Sequence, residues 1–179
     1  KECRRFVSSP NYMLNCGMGV LMIPAAGVLL LLKGGEWMAP LKAMLPGAES
    51  TLAALVISVA CLLASMNDMA APSVSLEGKS LWVLQSLPVS AWEVLKAKLK
   101  MQLVFTGIPM LVFLACALPV LGLSPVLSLL TAAGSLLAVL LLALFGLTMG
   151  LKMPNLHWTS EITPIKQGGA VMLAMLIGF

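Results

Sequence analysis

MQLVFTGIPMLVFLACALPVLGLSPVLSLLTAAGSLLAVLLLALFGLTMGL, residues 101–151, holds no charged side chain between Lys100 and Lys152. A helix needs about 20 apolar residues to cross a hydrocarbon core, so this run is too long for one crossing. It breaks at Pro119-Val-Leu-Gly-Leu-Ser-Pro125, a turn-rich sequence that should reverse the chain. The run reads as two spans, about 101–121 and 126–151, joined by a tight hairpin. Lipid offers no partner for open backbone groups, and the Leu/Ala/Met/Val composition does not alternate strictly, so both should be helices.

Working outward, the same reading covers the rest of the chain. Of its 179 residues 60% are hydrophobic and 10% charged, where a soluble domain carries roughly 25%. Further spans are expected at about 12–32 and 50–67, and a fifth begins near 167 and runs to 179. The expected fold is all-α: a polytopic membrane protein of antiparallel helices, with one polar insert at 68–100. The chain opens at Lys1 and stops at Phe179 inside an apolar run, so it reads as a piece of a longer protein. The apolar stretch after Arg5 has no small-residue cleavage pattern, which argues against a signal peptide.

The basic residues orient the chain. Lys1, Arg4 and Arg5 precede the first span, Lys79, Lys96, Lys98 and Lys100 lie in the insert, and Lys152 and Lys166 follow the fourth span. Placing the N-terminus in the cytoplasm puts nine of the eleven basic residues inside, as the positive-inside rule favours. The net charge of +4 thus bears on orientation and gives no reason to expect nucleic acid. Lys96, Lys98 and Lys100 sit where side chains snorkel toward lipid phosphates, and Arg4, Arg5 and Trp158 are further interfacial anchors. Cys3, Cys16, Cys61 and Cys116 form no Cys-x-x-Cys pair and suggest neither a disulfide framework nor a metal site.

The insert contains Gly78-Lys79-Ser80, the last three residues of a phosphate-binding loop. Such a loop needs a first glycine at position 73, which is Ser73, and a strand before it, where this chain has a membrane span. Nucleotide binding is not expected here. Further on, Ser90-Ala-Trp-Glu93 is a capping box, with Val89 and Val94 placed as a hydrophobic staple, so a helix should start at Ala91 and run into the third span. The insert suits either an interfacial amphipathic helix or a docking element for a soluble partner.

Function classes narrow in the same way. An intramembrane protease or acyltransferase needs ionisable groups at depth, and none lies within the expected spans except near their ends. Gly-x-Ser-x-Gly and His-Glu-x-x-His are absent. An enzyme with its catalytic residues outside this piece, or a purely structural membrane protein, is the alternative reading. Gly146-x-x-x-Gly150 suits a close helix contact, although glycine is frequent enough here for chance to supply it.

Three stretches carry a resemblance: KECRRFVSSPNYMLN at 1–15, SVSLEGKSLWVLQSLPVSAWEVLKAKL at 73–99, and PNLHWTSEITPIKQ at 154–167. Together they resemble the transmembrane subunits of bacterial type-2 ABC exporters, and more narrowly an ABC-exporter permease family of Firmicutes-like genomes. His157 and Thr163-Pro164 look like departures from its pattern. The resemblance implies a permease subunit of the bacterial cytoplasmic (inner) membrane, not itself an enzyme. It implies no cofactor in this chain, since ATP and Mg²⁺ would be bound by a separate ABC ATPase. The 68–100 insert would dock on that ATPase as a coupling helix, through Ser75, Glu77, Gly78, Lys79, Trp82, Leu87, Pro88, Ser90 and Glu93. Glu77 and Lys79 would form a charged contact pair and Gly78 a tight turn. Other partners would be the lipid bilayer and a second permease half or a second copy. The cargo is left open among lipid, peptide and hydrophobic drug.

Overall fold

The computed structural model describes residues 6, 8–44, 47, 49–78, 82, 86, 88–156, 158, 162–166 and 168–178. Its elements are helices: α1 (Pro10–Met44), α2 (Glu49–Met66), α3 (Ala70–Ser75), α4 (Ala91–Leu121), α5 (Pro125–Lys152), α6 (Ile162–Lys166) and α7 (Gly169–Gly178). Among the described residues there is no strand. Four stretches are long and apolar enough to cross a membrane: Tyr12–Met44, Glu49–Ser75, Ala91–Leu121 and Pro125–Lys152. Leu14, Leu21, Leu32, Val126, Leu129 and Leu176 all lie open on these and neighbouring helices. Water would disfavour so much exposed apolar surface, and lipid accepts it.

α1 packs chiefly on α4, α2 and α3 pack on α5, and α4 and α5 touch each other. The main core gathers Ile23, Val56, Ala60, Met110, Phe113, Ala117 and Val139. Lipid tails are as apolar as leucine, so membrane helices associate through close packing, which small residues permit. Gly27 shows this on α1, where an added Cβ would stand 2.8 Å from the Phe113 Cα. Gly146 and Gly150 do the same on α5. One faces the Asp68 carboxylate, and a Cβ on the other would meet the Ala71 carbonyl oxygen at 2.5 Å. This pair is therefore used in packing, which glycine frequency alone did not reveal.

Several boundaries differ from expectation. α1 continues to Met44, so most of the region read as a loop from 33 to 49 is helix. Lys33 and Glu36, three residues apart at 3.2 Å, support that extension, and Gly34 lets it pass Val120. α4 runs through Pro119 to Leu121, so the turn is confined to Gly122–Ser124. Gly122 takes the left-handed φ of 61° that a C-cap glycine adopts readily. Pro125 then opens α5 at the position where its missing N–H costs nothing. The insert is also less open than expected, because α3 is buried.

Candidate functional site

The densest polar chemistry lies where α2 stops. Asn67, Asp68 and Met69 interrupt the helix before α3 begins. A buried break in a helix persists only if neighbours satisfy its freed backbone groups. Gln102 on α4 does most of this: its Oε1 accepts from the Met69 N–H at 2.6 Å, and its Nε2 donates to the Asn67 carbonyl at 2.9 Å. Asn67 Nδ2 donates in turn to Thr106 Oγ1 at 3.0 Å and to the Phe105 carbonyl at 3.3 Å. Asp68 Oδ1 accepts from the N–H groups of Ala70 and Ala71, which starts α3. Tyr12 on α1 donates its hydroxyl to the Met69 carbonyl at 3.2 Å. Its ring meets Phe6 edge-on at 5.2 Å, and Phe6 tilts onto Phe105 at 5.1 Å.

A second group follows at the exit of α3. Glu77 and Lys98, 3% and 4% exposed, form an ion pair at 2.5 Å. Lys98 Nζ also donates to the Ser73 carbonyl at 3.0 Å. Ser75 holds the segment after α5: its hydroxyl accepts from the Asn155 N–H at 3.0 Å, and its carbonyl accepts from Trp158 Nε1 at 2.7 Å. Gly78 turns at φ +35°, and a Cβ there would lie 2.8 Å from that indole nitrogen. Only glycine suits both the turn and the indole. Phe6, Tyr12, Leu76 and Ile165, one or more from each of the stretches that carry the resemblance, share a buried cluster at one end of the bundle.

This placement bears on four expectations. Glu77 does not offer a surface charge beside Lys79, because burial is tolerable only with a close opposite charge, and Lys98 supplies it. Lys98 for the same reason does not reach toward lipid phosphates. Trp158 gives its N–H to Ser75, so that donor is held within the protein. Ser75 is likewise buried and faces Asn155 and Trp158.

Several described residues elsewhere in the insert are open. Trp82 and Trp92 are 68% and 65% exposed, and Pro88, Val89, Ser90 and Glu93 also face outward. The capping box forms: Glu93 N–H donates to Ser90 Oγ at 3.3 Å, and Ser90 N–H donates to Glu93 Oε2 at 3.1 Å. Lys96 Nζ stands 5.6 Å from the Trp92 ring centre, and Lys100 is exposed. Arg4, Arg5, Lys79, Leu87 and His157 lie outside the described residues. Gly78 is preceded by the helix α3, where a phosphate-binding loop would have a strand. Among the described residues no group of three His, Cys, Asp or Glu side chains is placed to hold a metal.

Sequence reasoning missed Asn67, Asp68, Gln102 and Thr106 as a unit. The available signal was the spacing of Gln102 and Thr106, four apart on one helix face within a charge-free run. Comparison with family models, curated proteins and solved structures finds no match to this chain.

Proposed function

We propose that the chain is the transmembrane subunit of an ATP-driven exporter, worked by a separate ABC ATPase that docks on the insert around residues 82–93. Successive spans run in opposite directions, the N-terminus faces the cytoplasm, and the membrane is the bacterial inner one. Alternating directions are supported by contacts that advance in step, Gly27 with Phe113 and Gly34 with Val120 along α1 and α4, Gly134 with Ile57 and Gly146 with Asp68 along α5 and α2. The basic residues support the cytoplasmic N-terminus. Beyond the resemblance, one observation carries the reading. The exposed Val89 and Trp92 flank the capped start of α4, Trp82 earlier in the insert is also exposed, and α4 spans 31 residues to Leu121. Gln102 and Thr106 on that helix grip the break after α2, and Lys98 holds α3 at Ser73. A push on the exposed tip is thereby delivered to α2, α3 and α5 together. Nucleotide state works such a lever only if it favours one arrangement over the other.

The test uses the full chain, affinity-tagged and extracted in mild detergent from its native membrane. The expected result is co-elution of an ABC ATPase, identified by peptide mass spectrometry, with vanadate-sensitive ATP hydrolysis in the same fraction. Val89→Asp with Trp92→Asp should remove that ATPase while the tagged chain elutes unchanged. An ATPase that stays at wild-type yield with the double variant, or none with the wild type, rejects the proposal. Either outcome leaves Trp92 and Lys96 as an interfacial pair resting on lipid headgroups.

A further inference from the structure

We propose that the apolar groove between α1, α2 and the end of α4 holds one acyl chain of an anionic bilayer phospholipid, with the phosphate on Lys42. This rests on the membrane spans alone and is independent of the exporter reading.

The groove arises because α1 leans on α4 while α2 leans on α5. The cavity of about 230 Å³ is lined only by apolar residues, Leu29, Trp37, Leu55, Val59, Phe113 and Leu121 among them. Along α4 it runs from Phe113 to Leu121, which is about 12 Å at the helical rise. Leu29, Leu55 and Val59 are partly open, so the groove faces the lipid laterally. Its depth and chemistry suit a hydrocarbon tail.

Charge supplies the rest of the argument. Lys42 follows Met38, a lining residue, by four positions and so shares its face of α1. Its Nζ lies 3.5 Å from where a Cβ on Gly122 would stand, beside Leu121 at the end of the groove. Among the described residues, neither neighbouring carboxylate is ion-paired with Lys42. Lys33 pairs with Glu36, and Glu49 Oε2 accepts from the Ser124 N–H. Lys42 is exposed and has no ion pair among the described residues. An apolar slot ending at one open ammonium matches a fatty tail joined to a phosphate. Ligand sites have this form, mostly apolar walls with few placed polar groups.

The test places the full chain in nanodiscs of equal phosphatidylcholine and phosphatidylglycerol, then extracts it gently for native mass spectrometry. One phosphatidylglycerol should remain per chain, favoured about fivefold over phosphatidylcholine, the contribution of one lysine near an anionic surface. Lys42→Gln should bring that ratio to about one, and Val59→Trp should reduce retention of both lipids at least tenfold. Equal retention by the wild type and Val59→Trp overturns the proposal, as does a lipid preference unchanged in Lys42→Gln. A dimer that separates in Val59→Trp also overturns it, in favour of a second copy as occupant. Lys42 is exposed, so its variant keeps the test decisive should Val59→Trp fail to fold.

Discussion

Where α2 gives way to α3, side chains from α1, α4 and the segment after α5 all reach for the same few backbone groups. At the opposite end, between Trp37 and Leu121, apolar side chains at the edge of the main core line a gap. The first region is held by directional contacts, each with a defined partner: Gln102 to Met69, Lys98 to Glu77, Trp158 to Ser75. The second is held mainly by apolar packing, with the Glu49–Ser124 bond at its margin. The contrast teaches that one end of this bundle has a single arrangement to lose, while the other has room to accept a guest.

Removing Lys98 should separate the two ends most sharply. Lys98→Met leaves the Glu77 carboxylate buried without its counter-charge, a loss of about 3–5 kcal/mol. Adding Glu77→Gln to Lys98→Met should recover much of that loss. Denaturant unfolding in micelles checks both, and equal stability of the single variant and the wild type would show that the pair carries nothing. Glycine replacements test the same contrast more finely. Gly150→Val drives a side chain against the Ala71 carbonyl, which is backbone and cannot yield, at a cost of about 1–3 kcal/mol. Gly35→Ala, toward the slack end, meets nothing within 4 Å. Its expected change is stabilising by at most about 1 kcal/mol, from helix propensity. A Gly35→Ala loss as large as that of Gly150→Val would erase the distinction. The most local effect belongs to Ser90→Ala, which removes an exposed cap contributing about 1 kcal/mol to the start of α4. Amide exchange at Trp92 and Glu93 should quicken while the melting temperature hardly moves. A marked drop in melting temperature would mean that the cap supports the whole bundle.

What could be read from the residues follows the range of each signal. Long apolar runs, the capping box at Ser90–Glu93 and the turn at Gly122–Pro125 are local, and they were legible. The ion pair was not, because Glu77 and Lys98 are far apart in the chain and each alone looks like a solvated loop charge. Asp68 likewise looked like the edge of a loop. Its place opposite Gly146 depends on how α5 returns along α2 and α3, which no local pattern encodes. The extension of α1 past Lys33 was hidden because Gly34 and Gly35 mimic a loop, although one of them serves to pass Val120.

The bond between Trp158 and Ser75 has a practical corollary. Trimming the polypeptide after Lys152 would spare all four long helices and look harmless by hydropathy. It would also strip both partners from Ser75 and uncover the turn at Gly78. The shortest version that keeps the base of the insert intact must therefore reach at least to that indole.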